Sequence, residues 1–210
     1  MSRLADEVLP LIRTRADLSR WRAANEHGAQ MHDAVTLLRE AAGTEDPLVV
    51  LDVTERAIAS ALRVIMRADD SSGIIGDACR DLLDLHPGVA AAAAAPSRRL
   101  VDWMIRFQFD NPCDFFTIDP VAYAPALGDA GMAAYRRRLD EMRERFGPRP
   151  PADARWIGAH AHQWFILDGN EQRLAVLDHD IEAIIATHAR DRRVARWLED
   201  TAEAFEEIGE

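Results

Sequence analysis

The fold is decided by residues 46–87, which read DPLVVLDVTERAIASALRVIMRADDSSGIIGDACRDLLDLHP. Asp46 before Pro47 predicts a helix start, because an Asp side chain caps free backbone N–H groups and a proline at the first helical position loses no useful donor. Apolar residues then recur at three- and four-residue steps on both sides of the polar turn 69–73, which is the period of an amphipathic helix. The stretch therefore predicts two antiparallel helices joined by a short turn.

The turn between these helices holds a dense set of small polar residues: Asp69, Asp70, Ser71, Ser72 and, one helical turn on, Asp77. Ser71 or Ser72 is expected to cap the second helix, and Pro87 is expected to end it. An EF-hand calcium loop is excluded, because the sixth position counted from either leading aspartate is isoleucine rather than glycine. An anion at the helix N-terminus is opposed by the two aspartates unless a divalent ion bridges them. We take the five polar residues as a candidate site and assign no catalytic residue, metal ligand or cofactor.

Composition indicates an ordinary soluble globular protein, with 48% hydrophobic and 29% charged residues among 210. The formal net charge of −11 disfavours general binding to nucleic acid or to an anionic membrane. Cys79 and Cys113 lack metal or redox spacing, and Cys79 lies on an apolar helical face, which favours a buried thiol. The most apolar tract, residues 89–95, is far too short to span a membrane, and the N-terminus does not resemble a signal peptide. We expect a reduced, cytoplasmic protein.

Amphipathic stripes predict helices along the rest of the chain. The predicted boundaries are a cap at Asp17 with a possible break at Gly28, a start at Asp119-Pro120 with an end at Gly128, a turn at Asp168-Gly169-Asn170 and a cap at Asp191. In the last helix, the residues expected to face inward are Val194, Leu198, Thr201, Phe205 and Ile208. No alternating strand pattern is present, so we predict an all-α fold of packed antiparallel helical hairpins, an α-solenoid-like (tetratricopeptide- or HEAT-like) array.

One segment has the composition of a linker. Residues 147–152, GPRPPA, combine a glycine with three prolines, which is typical of a loop between periodic segments. We predict an N-terminal helical domain over residues 1–146 and a C-terminal, repeat-like helical segment over residues 153–210. The alternative is one continuous domain.

Histidine motifs provide the remaining candidates for chemistry. His160 and His162 form an H-x-H pair, but residues two apart on a helix point to different sides, so one is expected to face the core and the other the solvent. His32-Asp33 and His179-Asp180 are His-Asp dyads of the kind that metal-dependent phosphohydrolases use. Such an enzyme needs a further His and a further Asp on neighbouring helices, so a dyad alone is a weak indication.

Two resemblances concern the C-terminal helix and the chain as a whole. The final helix resembles the first helix of a tetratricopeptide repeat in the spacing of Leu198, Thr201, Ala202, Phe205 and Gly209. Three segments are similar to a family of uncharacterised bacterial helical proteins, mostly actinobacterial: RVIMRADDSSGIIGDACRDLLDLH, WMIRFQFDNPCDFFTIDPVAYAPALGDAGMAAYRRRL and AVLDHDIEAIIATHARDRRVARWLEDTAEAFEEIG. The resemblance implies a helical fold with repeat-like helices towards the C-terminus, and it implies no catalytic residues.

The function expected from these patterns is that of a helical scaffold or protein–protein interaction module, because stacked helix pairs build extended surfaces for protein partners. The alternative is a metal-dependent hydrolase whose ligands are Asp69, Asp70 and Asp77 or the His-Asp dyads. An enzyme is the less favoured of the two. The patterns predict no particular partner, pathway or oligomeric state.

Overall fold

The computed structural model describes residues 2–111, 113–150, 160–190 and 194–210. Every regular element in these ranges is helical, which confirms the all-α prediction. The helices are α1 (Arg3–Ile12), α2 (Trp21–Ala41), α3 (Pro47–Ile65), α4 (Ile74–Ala92), α5 (Ser97–Phe109), α6 (Pro120–Phe146), α7 (Ala161–Leu177), α8 (Ile181–Ile184) and α9 (Ala195–Ile208). A π-helical turn, Ile185–Ala189, continues α8. None of the helices in this part of the chain is both long and apolar enough to cross a membrane.

The chain forms two compact units. The first contains Met1–Leu100 and Pro112–Phe116, and the second contains Val101–Asn111 and Thr117–Glu210. The predicted linker, residues 147–152, falls within the second unit. Because residues 151–159 are outside the described part of the chain, the linker remains a prediction, and so does the cap predicted at Asp191.

In the first unit, two helical hairpins are stacked in two layers. α1 packs on α2 and α3 packs on α4, while α1 also contacts α3 and α2 also contacts α4. This is how successive repeats of an α-solenoid pack, with the equivalent helices of neighbouring hairpins side by side. The core of the unit contains fully buried apolar side chains, among them Val8, Ile12, Met31, Leu38, Leu51 and Leu82.

The central hairpin of α3 and α4 begins as predicted and ends later than predicted. Asp46 accepts a hydrogen bond from the Leu48 N–H at 2.8 Å, and Pro47 occupies the first turn of α3. Pro87 does not end α4, which continues to Ala92, halfway through the alanine run 90–95. The helix beyond the proline buries apolar side chains, and this burial outweighs the lost backbone hydrogen bond.

Helix α2 differs from the prediction at both of its expected irregularities. It begins at Trp21, because Asp17 accepts a hydrogen bond from the Ser19 N–H at 2.9 Å and so closes a local turn instead of capping the helix. It also continues through Gly28, where an added β-carbon would lie 2.5 Å from Ile74 Cγ2. The glycine therefore permits a close approach of α2 to α4 and does not break the helix.

In the second unit, α6 packs on α7, and α7 packs on α8, α9 and the π-helical turn. α6 begins at Asp119-Pro120 as predicted, and Asp119 accepts a hydrogen bond from the Val121 N–H at 3.0 Å. The break predicted at Gly128 is confirmed, because this residue has φ +58° and separates two helical segments. The turn predicted at residues 168–170 is wrong: α7 runs through it, because two of its three residues bury polar side chains against polar partners.

Candidate functional site

The cap of α4 is made by Asp70. Its carboxylate accepts hydrogen bonds from the Ile75 and Gly76 N–H groups, each at 2.8 Å. Gly73 precedes the helix with φ +81°, a left-handed conformation that glycine adopts without strain. The predicted serine cap is therefore wrong, because this backbone conformation turns the aspartate, rather than either serine, towards the free N–H groups of the helix.

Other polar residues of the turn also have partners close by. Ser72 donates a hydrogen bond to Asn25 Oδ1 at 2.5 Å. Asp69 accepts one from the Ser71 N–H at 3.3 Å, and its own N–H donates to the Leu18 carbonyl at 2.8 Å. These hydrogen bonds stabilise the turn and connect it to α2 and to the segment before α2. Local structure therefore explains why the residues of the turn are polar.

Asp77, the last member of the candidate site, lies in the first turn of α4 and pairs with Arg80 at 2.7 Å. Within the described residues, no three His, Cys, Asp or Glu side chains are arranged to hold a metal ion. The structure places four of the five polar residues in the turn and Asp77 in the first turn of α4. The hydrolase alternative gains no support from this part of the chain, and a ligand at the turn remains a prediction.

One residue of each His-Asp motif has a partner elsewhere in the structure. His32 Nδ1 lies 3.3 Å from Asp81 Oδ2 on α4, and Asp81 also accepts a hydrogen bond from Arg39 at 2.8 Å. In the second motif, Asp180 caps α8 by accepting a hydrogen bond from the Ala183 N–H at 3.0 Å. His32 and Asp180 therefore use partners other than their neighbours in sequence.

His160 and His162 do not divide between core and solvent as predicted. Both are exposed. His160 immediately precedes α7 with φ +70°, and its ring packs on Phe146 with 5.1 Å between the ring centroids. The prediction fails because the helix begins only after His160, so the two residues do not share one regular helix.

A buried polar cluster that the sequence analysis did not identify joins α5, α6 and α7 within the second unit. Tyr135 donates a hydrogen bond to Asn170 Oδ1 at 2.5 Å, and Asn170 Nδ2 donates to Gln108 Oε1 at 2.6 Å. Gln108 Nε2 closes the ring by donating to the Tyr135 oxygen at 2.7 Å. We call these three residues the polar triad. Each donates and accepts within the ring, so burial leaves none of them unsatisfied.

The polar triad has a structural role. Burial raises the pKa of Tyr135 well above its usual range, so the phenol stays neutral. A further hydrogen bond from Asn170 to the Ile166 carbonyl, at 2.9 Å, uses the remaining amide donor. One sequence signal could have found the triad: Asn170 continues the apolar stripe of α7, three residues after Leu167 and four before Leu174.

Arg173 on α7 joins two other helices of the second unit. Its guanidinium donates to both Asp119 oxygens at 2.9 and 2.7 Å, and to both Glu207 oxygens at 2.7 Å. The hydrogen bonds from Arg173 lower the pKa of Glu207. Since Asp119 caps α6 and Glu207 lies on α9, two bidentate pairs fix these helices relative to α7.

In each unit, burial lowers the pKa of a histidine. His86 on α4 is fully buried, which lowers its pKa even though a Glu55 oxygen lies 3.7 Å from Nε2. Glu55 also pairs with Arg99 at 2.7 Å. Burial likewise lowers the pKa of His188 in the π-helical turn, and its Nδ1 lies 3.1 Å from the Ile184 carbonyl oxygen. Both imidazoles are neutral at pH 7 and fill the core.

The outer side of α9 exposes apolar residues that were predicted to be buried. Val194, just before the helix, and Leu198 are 40% and 47% exposed. Thr201 is buried as predicted, and Ala204 belongs to a core cluster with Ala175, Val176 and Ile184. The prediction fails because the apolar arc of α9 is wider than the face that α7, α8 and the π-helical turn cover.

A family model described as Family of unknown function (DUF6880) matches residues 6–205 of the chain. No curated protein and no solved structure matches the chain. The resemblance to an uncharacterised helical family is therefore supported at the level of family and fold. A mostly actinobacterial distribution and a tetratricopeptide-like C-terminal helix remain predictions.

Proposed function

The chain belongs to the DUF6880 family, and we propose that it is a protein–protein interaction module that binds a partner through the outer side of α9. The observation that carries this proposal is an exposed apolar strip. We define the α9 strip as Val194, Leu198 and Ala202, which follow one another at four-residue steps and are all exposed. Contiguous exposed apolar surface is characteristic of interaction sites, whereas single exposed apolar residues are common on any protein.

The helix that presents the strip is held in place by the second unit. Ala204 packs into the core on the inner face of α9, and Glu207 is bound by Arg173. A surface that is already ordered loses little conformational entropy on binding. The resemblance of α9 to the first helix of a tetratricopeptide repeat supports the same class of function, because helical repeat proteins bind partners on exposed helix faces.

The proposal is tested with two matched substitutions, Leu198→Glu on the strip and Leu48→Glu on α3. Leu48 is 57% exposed, so it controls for adding the same charge at an exposed leucine elsewhere. Proximity labelling in the cells that naturally produce the chain should enrich a set of proteins that Leu198→Glu loses and Leu48→Glu retains. Both variants should unfold at the wild-type temperature. If Leu198→Glu retains the wild-type set, the proposal is wrong.

A further inference from the structure

We propose that the α9 strip binds a basic amphipathic helix of a partner protein. The inference rests on the proposed function and adds the chemistry of the partner. The strip itself requires apolar side chains that recur at helical steps on the partner, because Leu198 and Ala202 lie one turn apart on α9 and Val194 immediately precedes the helix. The charge beside the strip sets the second requirement.

A row of glutamates runs along one side of the strip. Glu199, Glu203 and Glu206 are exposed and follow at steps of four and three residues, so they lie on one face of the helix. The row is offset from the strip by one residue, which is about 100° around the helix axis. The outer side of α9 therefore presents an apolar line beside an acidic line.

Basic residues of α9 do not neutralise the acidic row. Arg196 is the one basic residue of this helix, and its guanidinium lies 3.5, 2.9 and 3.9 Å from carboxylate oxygens of Glu199, Asp200 and Glu203. Three carboxylates around one guanidinium leave an excess of negative charge, to which Glu206 adds. A partner helix with Lys or Arg next to its apolar stripe complements both lines of α9.

The same charge argues against two other occupants. A second copy of the chain would bring one acidic row close to another, because a two-fold interface uses the same surface on both subunits. An anionic lipid surface would be repelled by a chain whose formal net charge is −11. A basic protein helix gains free energy from the apolar contact and from the charge contact together.

The probe is a labelled amphipathic helical peptide made of lysine and leucine, together with a counterpart that has glutamate in place of each lysine. Fluorescence anisotropy with the full chain should show binding of the basic peptide and none of the acidic one. Affinity should fall about tenfold with Leu198→Gln, and about tenfold with the triple substitution Glu199→Gln, Glu203→Gln and Glu206→Gln. Added salt should weaken wild-type binding more than binding to the triple variant.

Matched controls distinguish the effect of the acidic row on binding from the effect of the overall charge of the chain. Asp140→Asn, Glu141→Gln and Glu144→Gln together remove three exposed carboxylates from α6, and Leu48→Gln repeats the leucine substitution on α3. Both controls should bind the basic peptide with wild-type affinity. If the α6 control weakens binding as much as the α9 triple variant, the peptide responds to net charge alone and the inference is overturned.

Carbodiimide coupling maps the contact directly, because it joins carboxylates to amines. The chain contains no lysine, so, apart from the α-amino group, crosslinks report only the lysines of the peptide. Mass spectrometry should find amide bonds at Glu199, Glu203 or Glu206. Crosslinks confined to carboxylates outside α9 would overturn the inference.

The inference and the proposed function fail in distinguishable ways. If Leu198→Glu loses the cellular partners but the triple glutamine variant keeps them, the interaction module stands and the basic partner is wrong. If light scattering shows a wild-type dimer that Leu198→Gln separates, a second copy covers the strip and the inference is overturned. If Leu198→Glu keeps every cellular partner, both are wrong.

Discussion

Asp70 in the first unit is a partly exposed polar site, whereas Asn170 in the second unit is a buried one. In the first unit, Asp70 acts locally, on N–H groups five and six residues further along the chain. In the second unit, Asn170 lies in the middle of α7 and bonds Gln108, 62 residues away. Water can replace a lost contact at a partly exposed helix end, whereas the loss of a buried partner leaves polar groups unpaired. The comparison therefore predicts that substitutions at the buried site should lower the free energy of unfolding more than substitutions at the partly exposed site.

The largest loss of stability is expected for Asn170→Ala in the polar triad. The substitution removes the acceptor for Tyr135 and the donor for Gln108. Two buried groups left without these partners should lower the free energy of unfolding by about 3 kcal/mol. Denaturant unfolding of wild type and variant measures the difference. A loss below about 1 kcal/mol would break the comparison, since the triad would then behave like a surface contact.

A smaller loss is expected for Asp70→Ala at the start of α4. The variant loses a cap that satisfies two N–H groups, and water reaches them in part, so the free energy of unfolding should fall by about 1.5 kcal/mol. Asp70→Asn should fall between wild type and Asp70→Ala, because Asp70 accepts from Ile75 with Oδ1 and from Gly76 with Oδ2, and an amide keeps only one of these two acceptor oxygens. A loss for Asp70→Ala equal to that for Asn170→Ala would remove the distinction between the two kinds of site.

The starts of α3 and α6 were predictable from the sequence because their signals are local, whereas the caps predicted at Asp17 and at Ser71 or Ser72 were wrong. Asp46 and Asp119 each accept a hydrogen bond from the N–H two residues ahead, with proline in between. The helix interruption at Gly128 was predicted correctly, but others were not. Pro87 and residues 168–170 have the composition of a turn but lie inside helices, because burial of a helix face outweighs a local preference of about 1–3 kcal/mol per residue.

The candidate site was predictable in its residues and not in their roles. Which side chain caps α4 depends on the left-handed conformation at Gly73, and the sequence offered two serines that are equally good capping residues. The polar triad was missed because its members are 27 to 62 residues apart and Asn and Gln are mostly surface residues. The exposure of Leu198 depends on how far neighbouring helices cover α9, which is a tertiary property.

Acidification should weaken the protein through one histidine in each unit. Burial lowers the pKa of His86 and His188 in the folded chain, so below about pH 6.5 the unfolded chain takes up protons that the folded chain does not. Stability is therefore full above pH 7 and should fall as the pH drops from 7.5 to 5.5. Denaturant unfolding at the two pH values measures the fall.

Single substitutions assign this pH dependence to the two units. His86→Gln and His188→Gln should each remove part of the loss of stability between pH 7.5 and 5.5, whatever their effect on stability at pH 7.5. The double variant should remove both parts of this loss. A pH dependence that is unchanged in both single variants would show that other groups cause it. If only one of the two variants has a smaller pH dependence, only the unit that contains that histidine has an acid-sensitive core.

The smallest losses are expected for Ser71→Ala and Ser72→Ala, although the sequence favours both residues as caps. Ser72 makes one exposed hydrogen bond to Asn25, and Asp70 already satisfies the free N–H groups at the start of α4. Each substitution should therefore lower the free energy of unfolding by less than about 0.5 kcal/mol. A loss for either serine equal to that for Asp70→Ala would assign the cap of α4 to that serine. Asp70 would then no longer be the local contact with which Asn170 is compared.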